Sequence, residues 1–367
     1  MKRSIRVALL ACAAIASLAF AGSALASFAP KIVVSAATPG ANGGATRIGV
    51  LVGNSDDATA KASFYIPSAY QVGTPAAGTK LGNVTATASA AALGGAILPL
   101  TGELDAIAPS AATNAAAAQC GVSPSQTWDL HLTAAGQVLD IPMFVAATAA
   151  PGYSNELVVC LPPPQTALDG AKLLSATFTS SAITEPSAPG DYRWTSLWTP
   201  YASGATTPNP AGSVEVQGLQ HLPAAVKLTV TKKRITTFVR RKIHGKSRKV
   251  QIVRTLVRFS STVTEGTGPA ASAVITTTAG GKKVGGASGS FTLASGKSAV
   301  LRATAVVDSD SGSVPTGQTA NPLADLYFHD LGASGCTPSA IFGGLPCTDA
   351  TVGGQRLSAI AKVKGYK

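Results

Sequence analysis

The chain has 367 residues, of which only 13% are charged, yet it carries a net charge of +12. A hydrophobic content of 46% is that of a protein that folds, which excludes a disordered polymer, and the absence of long helical charge pairing excludes a coiled coil. Glycine and proline, at 38 and 23 residues, are somewhat above ordinary usage and announce many turns.

Lys2, Arg3 and Arg6 form a positive start, residues 7–21 are apolar and uncharged, and Ala24-Leu25-Ala26 is a small-x-small cleavage signal before Ser27. Residues 1–26 are therefore expected to be a secretory signal peptide. The rival is a lipobox-like Leu9-Leu10-Ala11-Cys12, but the apolar run before Cys12 is very short and a full-length one continues after it. No later stretch reaches the roughly 20 apolar residues that span a bilayer as a helix, so no transmembrane segment is expected after cleavage. Beyond the signal the cysteines are Cys120, Cys160, Cys336 and Cys347, an even count that suggests two disulfides in an oxidising compartment. Of the three connectivities, the local one, Cys120–Cys160 with Cys336–Cys347, keeps each bridge inside one expected domain. No C-x-x-C pair and no clustered histidine accompanies them, so zinc is disfavoured.

From Ser27 to Leu222 the chain reads as short strands between turn-rich loops, at 31–35, 47–52, 62–66, 84–88, 128–132, 138–144, 157–161, 173–178, 192–198 and 213–217. Several alternate apolar and polar residues, as in Trp128-Asp129-Leu130-His131-Leu132, the period of a half-buried strand. The Ala-rich pieces 88–96 and 111–118 fit a helical turn or a loop, since glycine interrupts the first and Asn114 the second. Many short strands point to a β-sandwich or jelly-roll-like domain over 27–222.

At Leu222-Pro223 the composition changes. Residues 27–222 hold six Lys/Arg against eleven Asp/Glu, residues 223–303 hold sixteen against Glu265 alone, and residues 304–367 hold four against five. The basic character therefore belongs to one segment, which opens a second strand-rich domain over 223–367. Val226, Leu228 and Val230 alternate with polar residues. Residues 235–243, a turn at His244-Gly245-Lys246-Ser247 and residues 250–263 then form a long hairpin pattern. Val253, Val257, Phe259 and Val263 share one parity and are expected to face a core. Further strands follow at 273–278, 290–293, 299–307, 324–329 and 357–363.

Within 259–305 lie Gly268-Pro269-Ala270-Ala271-Ser272-Ala273-Val274-Ile275, Gly280-Gly281-Lys282-Lys283, Gly289-Ser290-Phe291-Thr292-Leu293 and Gly296-Lys297. This stretch resembles the bacterial Ig-like or carboxypeptidase-regulatory-like modules of surface proteins. Ser272 stands where those modules have a small glycine and Ile275 where they have valine, and no acidic turn residue precedes Gly289. The resemblance implies a β-sandwich spacer or binding module with no catalytic residues of its own. The expected fold class is mainly β, with two β-sandwich-type domains, the second Ig-like.

Twelve Lys/Arg and no acid lie between Lys227 and Arg258. Arg240, Arg241 and Lys242 precede the hairpin turn, and Lys246, Arg248 and Lys249 follow it, so the hairpin sets like charges opposite each other. An anionic partner would relieve that repulsion through counterion release: wall teichoic acid, an anionic glycan, an anionic lipid surface or extracellular DNA. The plain alternative is a solvated edge hairpin whose cations block edge-to-edge aggregation. Phe238 is the only aromatic residue in the segment, so neither base stacking nor sequence-specific nucleic-acid reading is expected.

Motifs of chemistry are sparse. His131, His221, His244 and His329 form no metal-spaced pair; Asp129 and His131 share a strand face, but a third ligand is not visible. Asp308-Ser309-Asp310-Ser311-Gly312 lacks the third acid and the distant Glu of a calcium loop and reads as a turn. No nucleophile elbow, HExxH, P-loop or dinucleotide fingerprint occurs, and no cofactor is implied. Glu103 and Asp105 read as turn acids rather than a glycosidase pair. Tyr192, Trp194 and Trp198 would share one strand face, as core more often than as a sugar platform. The expectation is a secreted or cell-surface, non-enzymatic binding protein that engages an anionic cell-wall polymer or glycan through the hairpin. The alternative is a carbohydrate-active enzyme, with its site in 27–222 and the C-terminal module as an accessory.

Overall fold

The computed structural model describes residues 28–37, 43–134, 136–164, 171–222, 225–264, 273–308 and 328–367. The expected signal peptide with Cys12, Glu265, positions 268–272 of the Ig-like stretch, positions 309–312 of the Asp308 turn and most of the expected 324–329 strand lie outside the described residues.

The chain is mainly β, in two sheets. The first twelve strands are β1 (Lys31–Ala36), β2 (Ala45–Leu51), β3 (Thr59–Pro67), β4 (Gln71–Val72), β5 (Lys80–Ala90), β6 (Ala96–Ile107), β7 (Gln126–Ala134), β8 (Gln137–Ala147), β9 (Tyr153–Cys160), β10 (Ala171–Thr184), β11 (Gly190–Pro200) and β12 (Val214–Leu222). Six more follow: β13 (Ala225–Ile243), β14 (Lys246–Thr264), β15 (Ala273–Ala279), β16 (Lys282–Gly285), β17 (Ser288–Ala294) and β18 (Ser298–Val307). The chain ends with β19 (Phe328–Asp330), β20 (Cys347–Gly353) and β21 (Gln355–Lys364). The α-helix among the described residues, α1 (Ala111–Gln119), settles the second Ala-rich piece. Ser110 caps it: its Oγ accepts from Thr113 N at 3.1 Å while Thr113 Oγ1 accepts from Ser110 N at 2.8 Å. The first Ala-rich piece splits between the end of β5 and a 3-10 turn at Ala91–Leu93, closed by Gly94 in the left-handed region.

Period two decides which side of the sheet each residue takes. In β7, Trp128, Leu130 and Leu132 are buried while His131 and Thr133 on the other parity are exposed. The same alternation sends Ile32, Val34, Ile48, Phe64, Val84, Leu104, Met143, Leu157, Phe178, Trp194, Trp198 and Val216 into one core. Burial of each such side chain stabilises by about 1.5–3 kcal/mol.

That core is enclosed by a single curled, barrel-like sheet in the order β1-β2-β10-β5-β6-β7-β8-β9-β3-β11-β12-β20-β19, with β4 pairing β10. The curl brings β1 back against β12 and β20. Thr351 on β20 donates its hydroxyl to Ile32 O, and a Cβ on Gly353 would sit 1.7 Å from Val34 O. Only glycine allows strands to cross so closely.

The second sheet, β13-β14-β17-β16-β15-β18-β21, is a half-barrel around Val257, Phe259, Leu301 and Val363. Val257 and Phe259 lie in the core as their parity predicts; Val263 is half-buried against Val307 and Leu357, whereas Val253, expected to face the core, is half-buried where the hairpin leaves the sheet. A Cβ on Gly289 would meet the Phe259 ring at 2.6 Å, so the glycine of Gly289-Ser290-Phe291 makes room for an aromatic ring of the neighbouring strand.

The chain does not pass once from one sheet to the other. Residues 328–353, which composition groups with the C-terminal domain, add β20 parallel to β12 and β19 beyond it. Only β21 returns to the half-barrel, beside β18. Parallel neighbours need a long crossover, and here residues 223–346 supply it.

Candidate functional site

The basic hairpin is β13 and β14, nineteen residues each, paired from Ala225↔Thr264 to Ile243↔Lys246. The turn is tighter than the sequence suggests: His244 and Gly245 alone form it, at φ 50° and 77°, the hand that matches strand twist. β17 pairs with β14 only over Arg254–Ser260. From Thr236 and Val253 outward the two strands have, among the described residues, only each other as sheet neighbours, a ribbon of roughly 25 Å at about 3.3 Å per residue.

Register assigns the cations to faces. Arg240 lies opposite Lys249 and Lys242 opposite Ser247 on one side, in line with Phe238. Arg241 lies opposite Arg248 and Ile243 opposite Lys246 on the other. All six basic residues singled out by the sequence, Arg240, Arg241, Lys242, Lys246, Arg248 and Lys249, are exposed. Among the described residues none of them makes an ion pair. Lys249 Nζ sits 4.8 Å over the Phe238 ring, which itself is 57% exposed.

A second cluster was visible in the sequence only in part. Asp129 and His131 do share the outer face of β7, and the β7–β8 register sets Asp140 directly across from His131. His131 Nδ1 and Asp140 Oδ1 are 2.6 Å apart, and one ligand atom from each of the three residues lies within 4.8 Å of the others. This is the group among the described residues that could hold a metal ion. Partial burial, then the nearby Asp140 charge, push the Asp129 carboxyl up to about 6, while the bond to Asp140 raises His131. Glu103 and Asp105 face the same way on β6, a strand rather than a turn, and Glu103 is ion-paired to Lys80 at 2.5 Å.

The aromatic stripe divides. Trp194 and Trp198 are fully buried, Trp198 edge-on to Phe64 at 5.6 Å, and Tyr192 is half-buried against Tyr70. His221 is buried on β12, its Nδ1 2.6 Å from Asp191 Oδ1. Both disulfides are of the local connectivity, with Cα–Cα distances of 6.0 Å for Cys120–Cys160 and 5.6 Å for Cys336–Cys347. The first ties α1 to β9. The second staples the loop before β20, on the barrel and not on the half-barrel. No helix of the described residues is long and apolar enough to cross a membrane.

No protein-family model matches the chain, and neither a curated protein nor a solved structure does.

Proposed function

We propose that this is an exported, non-enzymatic binding protein that engages an anionic polymer through the ribbon of β13 and β14. The observation that carries the reading is the ribbon's combination of reach and charge: a two-stranded arm with no other sheet neighbour among the described residues, cation opposite cation on both faces, and no ion pair to any described acid. A two-stranded ribbon is marginal in water by itself. Facing like charges weaken it further, and a polyanion lying along either face removes that repulsion and releases its own counterions. Export is supported by the leader-like residues 1–26 together with two disulfides. In this reading the half-barrel presents the arm, in the manner of the surface spacers that the Ig-like stretch resembles.

The enzyme reading has less support. Glu103 is exposed and paired to Lys80. Among the described residues His221 Nε2 is buried without a hydrogen-bond partner, so the Asp191–His221 pair has no nucleophile at its far end.

The test is retention of the full chain on a polyanion column in rising salt. Replacing Arg240, Arg241, Lys246, Arg248 and Lys249 by Ser moves elution to much lower salt if the ribbon is the binding element. Unchanged elution refutes it.

A further inference from the structure

We infer that a second site, a pocket on the outer face of the barrel beneath the Cys336–Cys347 loop, binds a saccharide bearing a carboxylate, of the uronic acid class. It is independent of the ribbon reading, because it lies on the other sheet and uses none of the same residues.

The pocket exists because residues 331–346 fold back over β3, β9 and β12 instead of leaving the sheet. Three contacts hold them there. Gln217 Nε2 donates to Thr337 O at 2.7 Å. Ser339 N donates to Glu215 Oε2 at 2.8 Å. Phe342 packs on Tyr65 and Tyr153 at 4.4 and 5.8 Å between ring centroids. The disulfide closes the loop, and Glu215 N donates to Pro346 O just before β20. Glu215 is wholly buried, and each of its oxygens accepts a bond, the other from Gln217 Nε2 at 2.7 Å. The floor is therefore a satisfied, rigid polar network, the pre-organisation that a small-ligand site requires.

The cavity is about 540 Å³, inside the approximate 300–1,000 Å³ range of small-ligand pockets. Its lining includes Tyr153, Tyr192, Arg193, Thr195, Ser339 and Ile341. Arg193 decides the ligand's charge. It is exposed, its Nη1 donates to the neutral Gln217 Oε1, and among the described residues it makes no ion pair. A guanidinium held at one nitrogen keeps the rest of its donor fork for an incoming carboxylate. A dianionic phosphate suits the pocket less well. Arg193 is the one Lys or Arg in the lining, Asp191 beside His221 adds a negative charge, and the Glu215 carboxylate lies beneath. The remaining lining sets tyrosine rings and Ile341 beside hydroxyls, with Tyr153 OH already 2.8 Å from Thr195 Oγ1. Aromatic and aliphatic surface mixed with hydroxyl groups is what a pyranose, apolar on its C–H faces and polar at its rim, can use.

The experiment is calorimetric titration of the full chain with methyl glucuronide, methyl glucoside and N-acetylglycine. The glucuronide is expected to bind and the glucoside to bind at least about tenfold more weakly. Arg193→Gln is expected to weaken the glucuronide by about ten- to a hundredfold with an unchanged melting temperature, and Arg193→Lys to recover part of the loss. The five-serine ribbon variant should bind the glucuronide like the parent, which separates this site from the ribbon. Equal binding of glucuronide and glucoside, no detectable glucuronide binding, tighter binding of N-acetylglycine, or an indifferent Arg193→Gln would each overturn the proposal.

Discussion

Glu185 illustrates what a single buried carboxyl does to this protein. It is 3% exposed, and its Oε1 accepts from Gln220 Nε2 at 2.5 Å. Oε2 has no partner among the described residues, and burial pushes the group from 4.5 up to about 7. The sign follows from linkage. Between these two values the folded chain holds a proton that the unfolded chain has released, so stability falls as pH rises through the window. Glu185→Gln removes that loss. It should match the parent near pH 4 and exceed it at pH 8 by a few kcal/mol at most, read from denaturant midpoints at the two pH values. A variant less stable than the parent at pH 8 would show that the ionised carboxylate is favoured in the fold. Asp129 is raised for the same first cause, burial, and adds a loss of the same sign. Two of the three residues of its cluster were legible in the sequence, since Asp129 and His131 share a face by period two. Asp140 was not, because strand register rather than spacing sets it opposite His131.

At the scale of elements, the strands with clean alternation were the readable ones. β6 was missed because Gly94, Gly95, Pro99 and Gly102 look like turn punctuation. In the fold Gly102 is a close approach: a Cβ there would sit 1.8 Å from His131 O on β7. The hairpin was legible as a hairpin, and its basic residues fall where the sequence put them. That it reaches beyond its sheet was not legible, because only the short length of β17 determines where β14 loses its second neighbour. Excision follows from that geometry. Joining Ile235 to Arg254, which are direct partners, through an Asn-Gly turn removes the ribbon without touching Val257 or Phe259. Such a variant should keep its melting temperature within a few degrees while losing polyanion retention. A collapse of the melting transition would mean that the ribbon stabilises the half-barrel.

The whole molecule is tied at its ends. Lys31 on β1 is ion-paired to Asp330 on β19 and, at 2.9 Å, to Asp349 on β20, with side chains 7–16% exposed. The lysine is raised by its two carboxylates, against the lowering effect of its own burial, while burial pushes Asp349 up to about 6. Taking away the cation leaves two carboxylates facing each other in a poorly solvated site. Lys31→Met is therefore expected to destabilise the chain by about 3–5 kcal/mol near neutral pH. The loss should shrink at pH 4, where the aspartates can protonate. Chemical denaturation at both pH values measures it, and equal loss at both would argue against the charge explanation.

By itself the sequence determined the β class, the positions of most strands, the local pairing as one of three cysteine connectivities, and the confinement of positive charge to one hairpin. These rest on information within a few residues, namely side-chain alternation, turn residues and charge counts. Tertiary structure alone decided that residues 328–353 complete the barrel, that Asp140 joins Asp129 and His131, and that a stapled loop roofs a pocket around Arg193. Each of these depends on register or on a crossover more than a hundred residues long, and close packing of one curled sheet, not local propensity, is what selects them.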